Sequence, residues 1–138
     1  MQKNDKDTLH ILLVDDEQGF VDVLSKRLAR RGISVRKALS GTEGIQALRK
    51  QDFDLAVLDL KMEDMDGLEV LKIFKKMAPG MPVIMLTGHG SEQAAREGLA
   101  LGAFDYLMKP CAFEELISKV RSATRNKAAE KDGEENDV

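Results

Sequence analysis

The sequence predicts an α/β domain in which a parallel sheet is covered by helices on both sides. Two observations carry that prediction. Short apolar runs of the kind shown by strands buried on both faces alternate, five times over, with longer stretches whose apolar residues recur at helical spacing. At 43% apolar residues over 138 positions, the chain also holds enough for one core and little beyond one domain.

Taken in order, Leu9 to Val14 is the first run, and Glu17 to Arg31 follows with Phe20, Val21, Val23, Leu24 and Leu28 at helical spacing. Gly32 supplies that helix with its stop. Ile33 to Ala38 is a weaker strand whose Arg36 and Lys37 suit an edge position. Ser40 caps a short helix with Ile45 and Leu48 turned inward. Phe53 to Leu58 is a second buried-type run and ends at Asp59. Asp66 and Gly67 close a loop before a helix bearing Leu68, Val70, Leu71, Phe74 and Met77, which the segment Pro79-Gly80-Met81-Pro82 breaks. Val83 to Leu86 is the fourth strand and ends at Thr87. Ser91 reads as the cap of a short helix that runs out near Gly102. Phe104 to Met108 is the fifth strand, followed by Lys109 and Pro110, and Phe113 to Arg125 closes the domain with Leu116, Ile117 and Val120 on one face.

The charge is unevenly shared. The net charge is −3, and residues 127–138 alone carry −3, which leaves a neutral body. A neutral body without a Lys/Arg cluster offers no electrostatic footprint for nucleic acid. The reading is therefore an N-terminal extension at 1–7, a domain at 8–126, and an acidic flexible tail or linker stub at 127–138. No apolar run approaches the ~18–20 residues of a membrane span. The first residues lack the pattern of a secretory leader, and the single cysteine, Cys111, is too few for an internal bridge or a zinc site. A cytoplasmic setting with no membrane contact is expected.

The polar residues that follow the apolar runs are the informative ones. In an open parallel sheet, ligands bind outside the carboxyl ends of the strands. The first strand ends in Asp15, Asp16 and Glu17, the third in Asp59, the fourth in Thr87 and the fifth in Lys109. Carboxylates so gathered repel by about 4 kcal/mol per pair at about 4 Å and an intermediate dielectric. Either their pKa values rise or a cation joins them. An all-oxygen donor set suits Mg²⁺, with Mn²⁺ a substitute. Such a cation leaves one Asp59 oxygen free to attack phosphorus, while Thr87 and Lys109 are available to two further phosphoryl oxygens. The chemistry indicated is phosphoryl transfer onto aspartate.

The segments ILLVDDE at 11–17, LAVLDLKMEDMDGLEVL at 55–71, VIMLTGHG at 83–90 and GLALGAFDYLMKP at 98–110 resemble the receiver domain of two-component response regulators. The resemblance implies a flavodoxin-like (βα)5 three-layer sandwich with strand order 2-1-3-4-5. It implies that Asp59 accepts phosphate from a histidine kinase or phosphotransfer protein. It further implies that Asp15, Asp16, Asp59 and the Lys61 carbonyl hold the metal, that Thr87 and Tyr106 form a switch pair, and that Lys109 senses the phosphoryl group. Lys61 and His89 fall at positions that tune phosphoryl lifetime in relatives, and the Lys109–Pro110 bond is expected to be cis. The chain departs from the family in three places. Glu63 stands where proline is common, Asp64 adds a further carboxylate near the rim, and Cys111 and Ala112 replace the usual phenylalanine and aspartate cap.

The expected function is a phosphorylation-activated signalling switch rather than an enzyme in its own right. Its output is a contact with a downstream protein the sequence does not name, and phosphorylation-dependent pairing of two copies is an option. One alternative is a receiver excised from a longer regulator. Another is an aspartate-dependent phosphatase, disfavoured because that chemistry wants its two aspartates two residues apart at one strand end.

Overall fold

A computed structural model of the chain describes residues 8–88 and 91–136. Strands and helices alternate as β1 (His10–Val14), α1 (Gln18–Arg30), β2 (Ser34–Ala38), α2 (Gly41–Lys50), β3 (Leu55–Asp59), α3 (Gly67–Met77), β4 (Val83–Thr87), α4 (Glu92–Ala100), β5 (Asp105–Met108) and α5 (Phe113–Asn136). All neighbouring strands are parallel, in the order β2-β1-β3-β4-β5. This is the flavodoxin-like arrangement, with β2 on an edge as its Arg36 and Lys37 predicted.

The two-residue period of a strand divides the core into two layers. Leu12 and Val14 of β1 and Ala56 and Leu58 of β3 face one side, where Leu48, Val70, Leu71 and Phe74 from α2 and α3 cover them. Ile11, Leu13, Leu55 and Val57 face the other, against Val21, Leu24 and Leu28 of α1 and Leu116, Ile117 and Val120 of α5. The central strands β1, β3 and β4 are buried on both faces, which is why they read as unbroken apolar runs.

Helix ends follow the sequence with two exceptions. Gly32 adopts φ 78° just after α1, a left-handed conformation that glycine reaches without strain. The Ser40 hydroxyl accepts the Glu43 N–H at 3.0 Å, and the Asp66 carboxylate accepts the Leu68 N–H at 3.0 Å. Gly67 is required by proximity, since a Cβ there would stand 2.4 Å from the Leu60 Cα. Ser91 occupies the position before α4, but its side chain is buried and makes no cap bond. The last helix runs on to Asn136, past Arg125, where the sequence suggested a flexible tail or linker stub. Residues 126–136 are rich in Ala, Lys and Glu, strong helix formers, so the backbone continues the helix. The proposed extension at 1–7 lies outside the described residues. Among the described residues, no helix is long and apolar enough to cross a membrane.

Candidate functional site

The sheet register assembles the site. Val14 pairs with Leu58, so the next residues, Asp15 and Asp59, stand at neighbouring strand ends. Asp59 itself pairs with Leu86, one residue before Thr87. Thr87 pairs with Met108, and its carbonyl accepts the Lys109 N–H at 2.6 Å, which brings Lys109 to the same rim. The Lys109–Pro110 peptide is cis, as expected. These groups border a cavity of about 400 Å³ lined by Glu17, Phe20, Asp59, Lys61, Gly88, Lys109 and Pro110.

Burial gives the acids their character. Asp15 is 0% exposed and Asp59 is 5% exposed. Loss of water pushes the Asp59 carboxyl up from 3.8 to about 6. The Lys61 N–H, which donates to its Oδ1 at 3.1 Å, pulls the other way, as does the Lys109 charge, while Asp15 and Asp16 add repulsion. Of the two outcomes open to crowded carboxylates, the chain displays both. One acid is raised, and an internal cation, the Lys109 ammonium, sits among them.

Lys109 is held mainly by the residues that follow β1. Its Nζ donates to Asp15 Oδ2 and to Glu17 Oε1, each at 2.8 Å, and lies 4.0 Å from Asp59 Oδ2. The same Nζ stands 4.3 Å from the centre of the Phe20 ring. Burial alone would lower its pKa, but the bonds to Asp15 and Glu17 outweigh that and hold it above the ordinary lysine value. Asp15 uses its second oxygen, Oδ1, to accept the Glu17 N–H at 2.9 Å.

The structure gathers most, but not all, of the residues expected at the site. Asp15, Glu17 and Asp59 each offer a carboxylate oxygen within 4.8 Å of the others, an all-oxygen set that suits a hard divalent cation. Asp16 turns aside, and its Oδ2 accepts the Glu63 N–H at 3.2 Å, although its charge still reaches Asp59. Lys61 lines the cavity with an exposed side chain. The Thr87 hydroxyl is buried and donates to the Leu107 carbonyl at 3.4 Å, a long bond. Tyr106 is half-buried and packs against the core on the α2–α3 side. His89 lies outside the described residues.

Sequence reasoning placed Glu17 on the rim but left it out of the site, and it took Phe20 for core. Phe20 stands in the first turn of α1, which opens directly from the end of β1, and that position was a usable signal for the rim. It also put Asp64 near the rim. The Asp64 carboxylate closes the start of α2, accepting from the N–H groups of Gly41 and Thr42 at 3.0 and 3.1 Å and from the Thr42 hydroxyl at 3.0 Å. Those bonds, the Gly41 N–H first, hold its pKa below the ordinary value.

A family model described as the response regulator receiver domain matches residues 11–121. Among curated proteins, the transcriptional regulatory protein GlrR of Escherichia coli K12 is 40% identical over 119 residues, covering 86% of this chain and 27% of its own length. The transcriptional regulatory protein CusR of the same strain is 36% identical over 121 residues, covering 88% of this chain and 53% of its own. The chain thus spans about a quarter to a half of the length of these relatives. Among solved structures, a receiver domain protein from Clostridium thermocellum superposes with a TM-score of 0.84 at 33% identity, covering 88% of this chain and 98% of that one. A CheY-like receiver domain protein from Methanospirillum hungatei JF-1 gives 0.86 at 33% identity, covering 89% and 98%.

Proposed function

The chain belongs to the response regulator receiver domain family, and from that premise we propose that Asp59 is the phosphoacceptor of a two-component switch. The observation that carries the reading is a nearly dry carboxylate, raised to about 6, facing a cavity that also holds an ammonium 4.0 Å away. An Asp59 oxygen attacks the phosphorus of a phosphohistidine on a histidine kinase or phosphotransfer protein. The P–O bond forms as the P–N bond breaks, and the imidazole leaves with the electron pair and takes a proton.

A magnesium ion, with manganese a substitute, is assigned to this rim: Asp15, Asp16, Asp59 and the Lys61 carbonyl would hold it once Asp16 swings back from the Glu63 N–H, while Glu17 stays with Lys109. When bound, that ion neutralises charge developing on the transferred phosphoryl group. Lys109 then exchanges a carboxylate for a phosphoryl oxygen. The Thr87 hydroxyl gives up its long bond to Leu107 for another, and Tyr106 turns in behind it. A phosphoryl group adds about two negative charges at the rim. Driving the switch from 1:99 to 99:1 takes about 5.5 kcal/mol of differential stabilisation. Lys61 and His89 are assigned to tuning the lifetime, and the face formed by α4, β5 and α5 to the downstream protein or to a second copy.

The receiver unit is taken as residues 8–126, in a cytoplasmic setting. That the chain matches only part of transcriptional regulatory proteins favours a second, compatible reading, in which it serves as the receiver unit of a longer regulator. The test is to incubate the chain with Mg²⁺ and a small phosphodonor and to weigh it. One added phosphoryl group is expected, absent from Asp59→Asn. Persistence of the added mass in that variant defeats the assignment, and repeated turnover of a phosphate ester favours a phosphatase instead.

A further inference from the structure

We infer that Glu17 is a positioning residue that parks Lys109 in a resting seat, and that this contact slows phosphoryl transfer. The inference rests on the phosphoacceptor reading of Asp59. An ammonium has three donors. Two are committed to Asp15 and Glu17 at 2.8 Å, the ammonium sits against the Phe20 ring, and Asp59 at 4.0 Å lies beyond hydrogen-bond reach. With two of its three donors committed, a phosphoryl oxygen on Asp59 competes with both carboxylates for the ammonium, which turns towards it more readily when one of them is released.

Burial decides which one. The Asp15 side chain is fully buried, so leaving it unpaired is expensive, whereas the Glu17 side chain is 65% exposed and water replaces the lysine readily. Local structure prepares Glu17 for this task. It stands at the cap position of α1 with an extended backbone, φ −86° and ψ 94°, yet its side chain makes no cap bond. Its N–H is anchored to Asp15 Oδ1 at 2.9 Å, which aims the carboxylate at Lys109 instead of at the helix.

Two variants separate reach from charge. Glu17→Gln removes the charge, and Glu17→Asp keeps it on a side chain one methylene shorter. Loading is followed with acetyl phosphate at saturating Mg²⁺, where the new P–O bond to Asp59 forms as acetate leaves with its electron pair. Both variants are expected to raise the saturated loading rate about two- to fivefold, the range of an exposed ion pair, with the KM for acetyl phosphate little changed. Both are also expected to shift the Lys109 side-chain resonances of the metal-free protein by lysine-selective NMR. Glu17→Asp behaving as the natural chain while Glu17→Gln alone changes would mean that bare charge acts, and overturns the proposal. Unmoved Lys109 resonances, or a saturated rate unchanged in both variants, also overturn it. A tenfold loss of Mg²⁺ affinity in both variants does so too, by making Glu17 a cation ligand. A natural chain that takes no phosphate defeats the phosphoacceptor reading itself, whereas normal loading with indifferent variants defeats this inference alone.

Discussion

Leu58 and Asp59 are consecutive residues of β3, almost equally shielded from water, and opposite in what that shielding does. Burying Leu58 stabilises the fold by about 1.5–3 kcal/mol relative to leaving it exposed. Burying Asp59 as a carboxylate does the reverse, since raising its pKa from 3.8 to about 6 corresponds to about 3 kcal/mol. The same contrast holds along β1, where Val14 is packed and Asp15, equally dry, is tolerable because Lys109 bonds it at 2.8 Å. The strand bodies hold the molecule together, and the strand tips store an unfavourable charge that a cation can relieve. Stability and the proposed function therefore lie one residue apart and respond oppositely to substitution.

The largest effect expected from breaking this contrast comes from Lys109→Met. It leaves the fully buried Asp15 without its partner and should lower metal-free stability by about 3–5 kcal/mol in urea unfolding. Mg²⁺ should restore part of that loss, about 2.7 kcal/mol at a hundredfold excess over its Kd. Leu58→Ala should cost about 2–5 kcal/mol, unaffected by Mg²⁺ and by pH between 5 and 8 in about equal measure.

Asp59→Asn should go the other way and stabilise the metal-free chain by about 3 kcal/mol at neutral pH, read as a higher urea midpoint. The sign follows from the raised pKa. The folded chain takes a proton near 6 and the unfolded chain near 3.8, so this group favours folding below 3.8 and loses that contribution as pH rises through about 6. The gap between the natural chain and Asp59→Asn should accordingly close as pH falls towards about 4. A gap that widens in acid would mean that the carboxylate is favourably solvated. The smallest effect belongs to Asp64→Ala, which removes acceptors from the start of α2 at about 1 kcal/mol and leaves Mg²⁺ affinity and loading untouched.

The fold was legible because strands buried on both faces must be apolar throughout, and because their polar successors mark the sheet's functional rim. The finer assignments were not legible, for local reasons. Asp16 and Glu17 end the same strand, and which of them turns inward depends on the backbone between β1 and α1, where Asp15 anchors the Glu17 N–H. Phe20 has the spacing of a core residue and of a rim residue alike, and only the position of Lys109 distinguishes the two. Asp64 contacts residues 22 and 23 positions earlier in the chain, a pairing set by how the β3–α3 loop folds back and by no local signal. Ser91 carries the residue type of a cap, but its burial withholds the bond.

The most direct test of the central claim is to locate the phosphoryl group. An acyl phosphate is reduced by borohydride to the alcohol, so a phosphorylated aspartate becomes homoserine and can be found by peptide sequencing in a mass spectrometer. Homoserine at position 59 alone is the predicted result. Homoserine at 15 or 16, or a phosphate that resists borohydride on another side chain, would contradict the account.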